Sequence, residues 1–466
     1  MKKYKYLLTN IGLLTLSSFS SKFLSFLLVP LYTSVLTTDQ YGTYDIFNTT
    51  VMLLIPILTL GIFESVLRFS LDNNIDSRQV YSIGRRIFLE GLSLLIILLV
   101  LNYIFNIVPI VREYSWCLLF LYIATAYSQL LQYYARGEEK ISLLSVFGIV
   151  SSIISLLLNI LFLVGFRWGL LGYFYATILG LLIPSFYLAM SLQTWKYRKI
   201  AVDTKLKTKM LEYSKPMIIN SVSWWINNSS SRYIIIWLCG ISENGLYSVG
   251  YKIPTILNVF QQIFNQAWTL SSVKEFDRND TDGFFARTYT VYNLSMILVC
   301  SVLIVMTKVL AQVIYMDKFY VAWKYVPFLM ISIVFSANSG LLGGVFSAVK
   351  DSKKYSISTT LGAIVNILMS LIGVYFLGGI GAAIANCISF MIVWVVRLFF
   401  VKKYMVLKIN LVRDCCAYTV LVVQSIVILQ ISRPELLYIT EVILFLAIIV
   451  LYFKEFRILF DSLRKR

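Results

Sequence analysis

The chain has 466 residues, 59% of them hydrophobic and 14% charged. A soluble domain carries about 25% charged residues, so this sequence lacks the polar surface that water on every side would require, and a wholly soluble protein is excluded. The net charge of +18 raises nucleic acid as a partner, but the absence of histidine removes the usual neutral-pH proton relay and the commonest metal ligand.

Six cysteines without a C-x-x-C spacing leave no zinc or thioredoxin-like reading. They are expected to be apolar filler. In lipid, only helices and closed barrels satisfy their own backbone. Barrel strands alternate apolar and polar residues, whereas Leu94–Leu101 and Val442–Phe453 are unbroken apolar runs. The fold class expected is all-α integral membrane.

A span needs about 20 mostly apolar residues, and fourteen are expected. In chain order they are Leu8–Leu36, Asp45–Leu71, Ile87–Val108, Trp116–Tyr134, Ile141–Val164, Trp168–Leu192 and Pro216–Cys239. Then come Leu246–Leu270, Tyr289–Tyr315, Ala322–Val349, Tyr355–Leu377, Gly378–Phe400, Cys415–Leu429 and Leu436–Phe453. With the amino terminus in the cytoplasm, about three quarters of the 41 basic residues fall on the cytoplasmic side. Loop 196–215 is the richest of these segments. The basic excess is therefore a loop effect that needs no nucleic acid. Both termini are expected in the cytoplasm, and the first apolar stretch shows no cleavage site.

The sequence repeats weakly at an offset of roughly 205 residues. Tyr41-Gly42-Thr43-Tyr44 opens the second span and Asn244-Gly245-Leu246-Tyr247 the eighth. Gly169, Gly172 and Ala176 recur as Gly378, Gly381 and Ala385. Small residues at this spacing let helices approach closely. An even number of spans per half makes the halves parallel repeats, as in transporters that bind substrate between lobes and rock. The domains expected are a six-helix lobe over 1–200, a second over 201–405, and a helix pair with a cytoplasmic tail over 406–466.

Lys22 lies near the middle of the first span, where a cation costs about 2.5–3.5 kcal/mol. It is expected to face a wet cavity or a buried acid. Arg232 follows Asn227-Asn228-Ser229-Ser230-Ser231, a polar run that is costly against lipid. Superposing the halves on Gly42 and Gly245 sets Arg232 opposite Val29, two turns from Lys22. Both cations would then reach one central space, with Asn227, Asn228 and Ser231 beside them. An outer-end arginine reaching the interface is the plainer reading of Arg232. Lys252 sits nearer a helix end, and Arg68 follows Glu64 by four residues, an ion-pair spacing. Asp45, Glu90 and Glu441 lie near helix ends and Glu64 somewhat deeper. Asp45 or Glu64 is a candidate for coupling transport to a proton or sodium ion, and a helix cap explains Asp45 equally well. Ser336-Ala337-Asn338-Ser339 and Gln261-Gln262 are further candidate cavity residues. No phosphate-loop motif or catalytic domain appears, so neither an enzyme nor an internal ATPase is expected. Several cations and few anions suit an anionic cargo such as a diphosphate, and the Ser/Asn lining suits sugar hydroxyls.

The chain resembles the oligosaccharide flippases of bacterial polysaccharide synthesis, within the superfamily that also holds multidrug-and-toxin extruders and lipid II flippases. The resemblance rests on the serine-rich first helix ending in Leu28-Val29-Pro30-Leu31-Tyr32, and on the turn Leu36-Thr37-Thr38-Asp39-Gln40-Tyr41-Gly42-Thr43-Tyr44. It extends through Tyr213-Ser214-Lys215-Pro216, Gly245-Leu246-Tyr247-Ser248-Val249-Gly250-Tyr251-Lys252-Ile253 and the two glycine–alanine elements. It implies two six-helix lobes, alternating access, and an undecaprenyl-diphosphate-linked oligosaccharide carried across the bacterial cytoplasmic membrane for capsule or O-antigen synthesis. A polysaccharide polymerase is an implied partner. The lipid II branch implies diphosphate-binding cations at Lys22, Arg68 and Lys252, and a lipid groove in the last two helices. A lipid II flippase and a cation-coupled drug antiporter are the alternatives. The antiporter needs carboxylates that this chain mostly lacks.

Overall fold

The computed structural model describes residues 26–72, 74–200, 203–349, 351–431 and 433–455. It is 86% helical, and no strand occurs among the described residues. The first half carries α1 (Val29–Val35), α2 (Thr38–Leu58), α3 (Ile62–Ser70), α4 (Ser77–Phe105), α5 (Ser115–Gly137), α6 (Ile141–Asn159) and α7 (Gly169–Ser191). Then follow α8 (Thr204–Cys239), α9 (Ile241–Gly250), α10 (Thr255–Lys274), α11 (Phe284–Val305), α12 (Val326–Ala348), α13 (Ser352–Leu377), α14 (Gly379–Val401), α15 (Leu411–Gln430) and α16 (Pro434–Leu451). Two compact units divide between Trp225 and Ile226, inside α8.

Among the described residues nine helices are long and apolar enough to cross a membrane, and the bent pair α2–α3 raises this to ten. The chain is therefore a multi-pass membrane protein. The expected first span lies mostly outside the described residues. α5 and α8 occupy two other expected spans, but their polar residues lower their hydropathy. In α5 those residues sit on the buried side, as with Thr125, Ser128 and Tyr134. Burial separates the helices clearly. The apolar segment of α12 is 89% buried, whereas those of α16 and of the α6 stretch are 17% buried and leave the rest of their apolar surface to lipid.

Among the described residues, three expected continuous spans are broken, the ninth of them at Met306 between α11 and a short helix over Thr307–Ile314. The second is split into α2 and α3, bent by 62°. Pro56 removes a donor from the last turn of α2, and Leu60 and Gly61 take positive φ, 51° and 63°. A break exposes backbone groups that lipid cannot satisfy. Here the Ser214 hydroxyl of α8 donates to the Leu60 carbonyl at 2.8 Å, and Ser65 of α3 donates to the Met210 carbonyl at 2.6 Å. The eighth expected span is interrupted at 251–254, between α9 and α10. Pro254 cannot donate to Gly250, and its ring crowds that carbonyl.

The repeat read in the sequence has a structural counterpart in each unit. Gly169 at the start of α7 and Gly378 just before α14 both take positive φ, 54° and 58°. A Cβ on Gly172 would fall 3.1 Å from the Phe162 carbonyl oxygen, and one on Gly381 only 1.8 Å from that of Gly373. Ala176 and Ala385 are both buried. Gln40 of α2 lies against Gly169, where a Cβ would sit 3.3 Å from its amide nitrogen. Glu243 of α9 accepts from the Gly379 N–H at 3.0 Å and from the Tyr325 hydroxyl at 2.7 Å. One polar side chain, three residues into its own helix, thus meets the start of a small-residue helix in each unit. Glu243 there is an acceptor for orphan donors at a helix N-terminus.

Two expectations follow. Gly381→Ala should destabilise the protein by about 1–3 kcal/mol or more through overpacking, and Gly172→Ala by less. Thermal unfolding of the purified variants checks the order, and equal losses would contradict the close approach at Gly381. Ser214→Ala, which strips the donor from the Leu60 carbonyl, should cost about 1–3 kcal/mol. Ser93→Ala, whose exposed hydroxyl bonds only a carbonyl of its own helix, should be close to neutral in the same assay.

Candidate functional site

Lys22 lies outside the described residues, so the expected pairing of Lys22 with Arg232 has a structural account only on its Arg232 side. Within the first unit, Asp45 lies on α2, half-buried beside a tyrosine cluster. The Tyr44 and Tyr173 rings stack at 3.8 Å, Tyr32 and Tyr173 lie 4.5 Å apart, and the Tyr44 hydroxyl shares a hydrogen bond with Thr177 at 3.0 Å. The Asp45 carboxylate acts electrostatically on Tyr41, Tyr44 and Tyr173. It is the eighth residue past the Thr37 N-cap, which has its own capping box with Gln40. Capping therefore does not account for Asp45.

Glu64 and Arg68 share α3, but Arg68 is exposed and no ion pair joins them among the described residues. The Tyr133 hydroxyl of α5 donates to Glu64 at 3.0 Å instead. The spacing allowed the pair, but the tyrosine competes for the carboxylate and Arg68 turns away. Trp225 donates to the Thr49 carbonyl at 2.9 Å, a packing contact within this unit.

Within the second unit, the polar run of α8 divides by face. Asn227 donates to the Thr359 carbonyl at 2.8 Å and accepts from Ser389 at 3.0 Å. Ser231 donates to Asn366 at 3.1 Å and shares a bond with Ser370 at 2.9 Å. These groups zip α8 to α13 and α14, and both are buried. Polar residues thus serve helix association in lipid, a use that the sequence reading did not separate from cargo contact. The backbone carbonyl of half-buried Asn228 accepts from Arg232 at 3.3 Å. Arg232 also reaches Ser229 Oγ at 3.4 Å and lies 5.3 Å over the Tyr251 ring. It is half-buried and seven residues from the Cys239 end of α8, about 10 Å along the axis. A cation over an aromatic face is attracted by the ring's negative face. Lys252 sits in the break between α9 and α10, one residue beyond Tyr251, so the interruption brings Lys252 and the Arg232 platform onto one short stretch of chain. Asn386 of α14 completes the cluster by donating to the Tyr251 hydroxyl at 2.8 Å.

The other candidate cavity residues pack inward. Asn338 of α12 donates to Asn293 at 2.6 Å and to Tyr418 at 3.1 Å, and Gln261 donates to Ser336 at 3.3 Å. Two buried cations escaped the sequence reading, because both were counted with cytoplasmic clusters. Arg397 of α14 donates to the Ser339 carbonyl at 2.7 Å and to Ser358 and Thr359 at 3.0 Å, and stacks 4.1 Å from Tyr355. Arg413 binds Asp414 at 2.9 Å and also Glu455, and Asp414 accepts from Tyr452 at 2.8 Å. Tyr452 accepts from Asn293 at 3.3 Å, and Asn293 accepts from Tyr418 at 2.8 Å. This buried chain ties α15 and the end of α16 to α11 and α12. No group of three or more metal-ligating side chains occurs among the described residues.

The profile of the family described as polysaccharide biosynthesis protein matches residues 7–270. No curated protein matches. Several solved structures share the fold. The lipid II flippase MurJ, in an inward closed conformation, superposes with a TM-score of 0.72 at 14% identity, covering 96% of this chain and 98% of that one. An inward-facing multidrug resistance MATE transporter of the MOP superfamily gives 0.65 at 15% identity, over 82% and 95%. A MOP superfamily transporter from Pyrococcus furiosus, described as having a binding pocket of reverse polarity, gives 0.55 at 16%, over 85% and 96%. With more than half of its length matched by the family profile, and with the fold of MOP superfamily transporters rather than of an enzyme, the chain belongs to the polysaccharide biosynthesis protein family.

Proposed function

We propose that the protein is a flippase that carries an anionic, polyprenyl-diphosphate-linked oligosaccharide across the bacterial cytoplasmic membrane by alternating access of its two six-helix halves. The observation that carries this reading is Arg232. It is a half-buried guanidinium that lies over Tyr251 and donates to the Asn228 carbonyl and Ser229, with Lys252 next to Tyr251 in sequence. A guanidinium keeps its charge at any working pH and presents paired donors to phosphate oxygens. Phosphate binding in a low-dielectric setting needs those donors held in place. Membership of the polysaccharide biosynthesis family supports a saccharide cargo. Lys22, Arg68 and Lys252 are proposed as further diphosphate contacts and Asn228 as a sugar contact. Asn227 and Ser231 act only through the helix that they anchor. A polymerase is a proposed partner. Lipid II is the second reading, favoured by the match to MurJ along nearly the whole of both chains.

Deletion should make a lipid-linked saccharide accumulate on the cytoplasmic side, and mass analysis of the lipid names the cargo. Accumulation of a surface-polysaccharide repeat unit supports the first reading, and accumulation of lipid II the second. Arg232→Ala should lower export at least tenfold with membrane levels unchanged, and Arg232→Lys should restore part of it. Full export in Arg232→Ala would remove the main support for an anionic cargo.

A further inference from the structure

The helix pair α15–α16 holds a carboxylic acid that the site above does not use. α16 turns a narrow stripe inward, Leu437, Glu441 and Ile448, while most of its other residues face outward. Positions spaced by four and seven residues share one face of a helix, so Glu441 is the polar member of an apolar seam. Its relative exposure is 0%, and both carboxyl oxygens lack a hydrogen-bond partner among the described residues. Opposite it stands Gln424 of α15, also fully buried, whose side-chain nitrogen likewise lacks a partner. The Gln424 oxygen is held by the Ser301 hydroxyl of α11 at 2.8 Å. Glu441 lies seven residues past the start of α16 and Gln424 six residues before the end of α15, each about 10 Å from the 431–433 connection.

The charged group that acts on Glu441 is Lys308, on the short helix after α11. Its ammonium already donates to the Ile431 carbonyl at 3.3 Å and lies 4.8 Å over the Trp323 ring. It stands at the 431–433 connection without closing an ion pair on the acid. The other ionisable groups of the packed helices lie elsewhere. Arg413 and Asp414 of α15 join Tyr452 and Glu455 at the opposite end. On α11, Cys300 is buried beside Ser301, while Tyr289 and Tyr292 lie two to three turns further down.

Burying a carboxylate is costly when its positive neighbour, here Lys308, closes no ion pair on it, and burial of this kind favours the neutral form. The Gln424 amide nitrogen can donate to either form of the acid, and the neutral form needs no counter-ion inside this apolar seam. A metal cation fits less well, because hard cations take six or more oxygen ligands. The Ser301 hydroxyl and the Gln424 oxygen are already bonded to each other, and the nearby charge is positive. We propose that Glu441 is a proton-binding site, loaded and unloaded from the Ile431 end of α15, beside Lys308. Uptake converts the carboxylate to the acid by adding one proton from water. Binding of the proton does not depend on the cargo. Its use as the coupling ion rests on the flippase reading above, and it would take that role from Asp45 and Glu64.

Infrared difference spectra of the purified, lipid-reconstituted protein, recorded between two pH values without cargo, test the site. The wild type should show a protonated-carboxyl stretch that Glu441→Gln lacks, and Gln424→Leu should shift its position or its midpoint. Superimposable spectra of wild type and Glu441→Gln would overturn the proposal. So would a band that responds to sodium at fixed pH and not to acid. Lys308→Ala should move the titration midpoint by at least half a pH unit, and an unchanged midpoint would overturn the entry route. Because no saccharide is present, failure here leaves the cargo assignment standing, and failure of the cargo assignment leaves the proton site standing.

Discussion

A polar atom buried among hydrocarbon side chains has no water to turn to, and nearly every unusual feature of this chain follows from how that demand is met. The break between α2 and α3 frees the Leu60 carbonyl, and Ser214 arrives to satisfy it. The helix starts at Gly169 and Gly378 sit against Gln40 and Glu243. Ser231 donates to Asn366 and Ser389 to Asn227 between α8, α13 and α14. Each case is a hydrogen bond made across helices because the bilayer offers none.

The same demand sorts the charges. Arg413 is neutralised by Asp414 and Glu455, and so anchors the last two helices without binding anything else. Arg397 is wrapped in neutral oxygens and a tyrosine face at 3% exposure. It is a positioned structural cation, closed to a ligand. Arg232 is half-buried and rests on Tyr251. Glu441 lacks the compensation that the arginines have, which marks it as a group that changes protonation state.

The long apolar runs gave the helices, because a segment facing lipid must be apolar all round. α6 and α16 were legible for that reason. The glycine–alanine repeat was legible too, since close helix approach leaves only small residues available, and Gly172 and Gly381 occupy matching places in the two units. The breaks were half legible: Pro56 and Pro254 each remove a helix donor, but the left-handed pair Leu60–Gly61 depends on the partner Ser214, 154 residues away. The site was less legible. A sequence shows that Asn227, Asn228 and Ser231 are polar within a span, but which of them meets α13 and which meets Arg232 is a matter of helix rotation against neighbours. Glu441 was set aside as a helix-end acid because distance from a helix end does not report which face is buried.

The account centres on negative charge carried on a lipid. The most direct measurement follows two fluorescent polyprenyl oligosaccharides in vesicles containing the purified protein, one with the diphosphate and one joined by a neutral linkage. Protein-dependent transfer of the diphosphate form alone, abolished when Arg232 is replaced by alanine, is the predicted result. Equal transfer of both forms, or transfer only of hydrophobic cations, would contradict it.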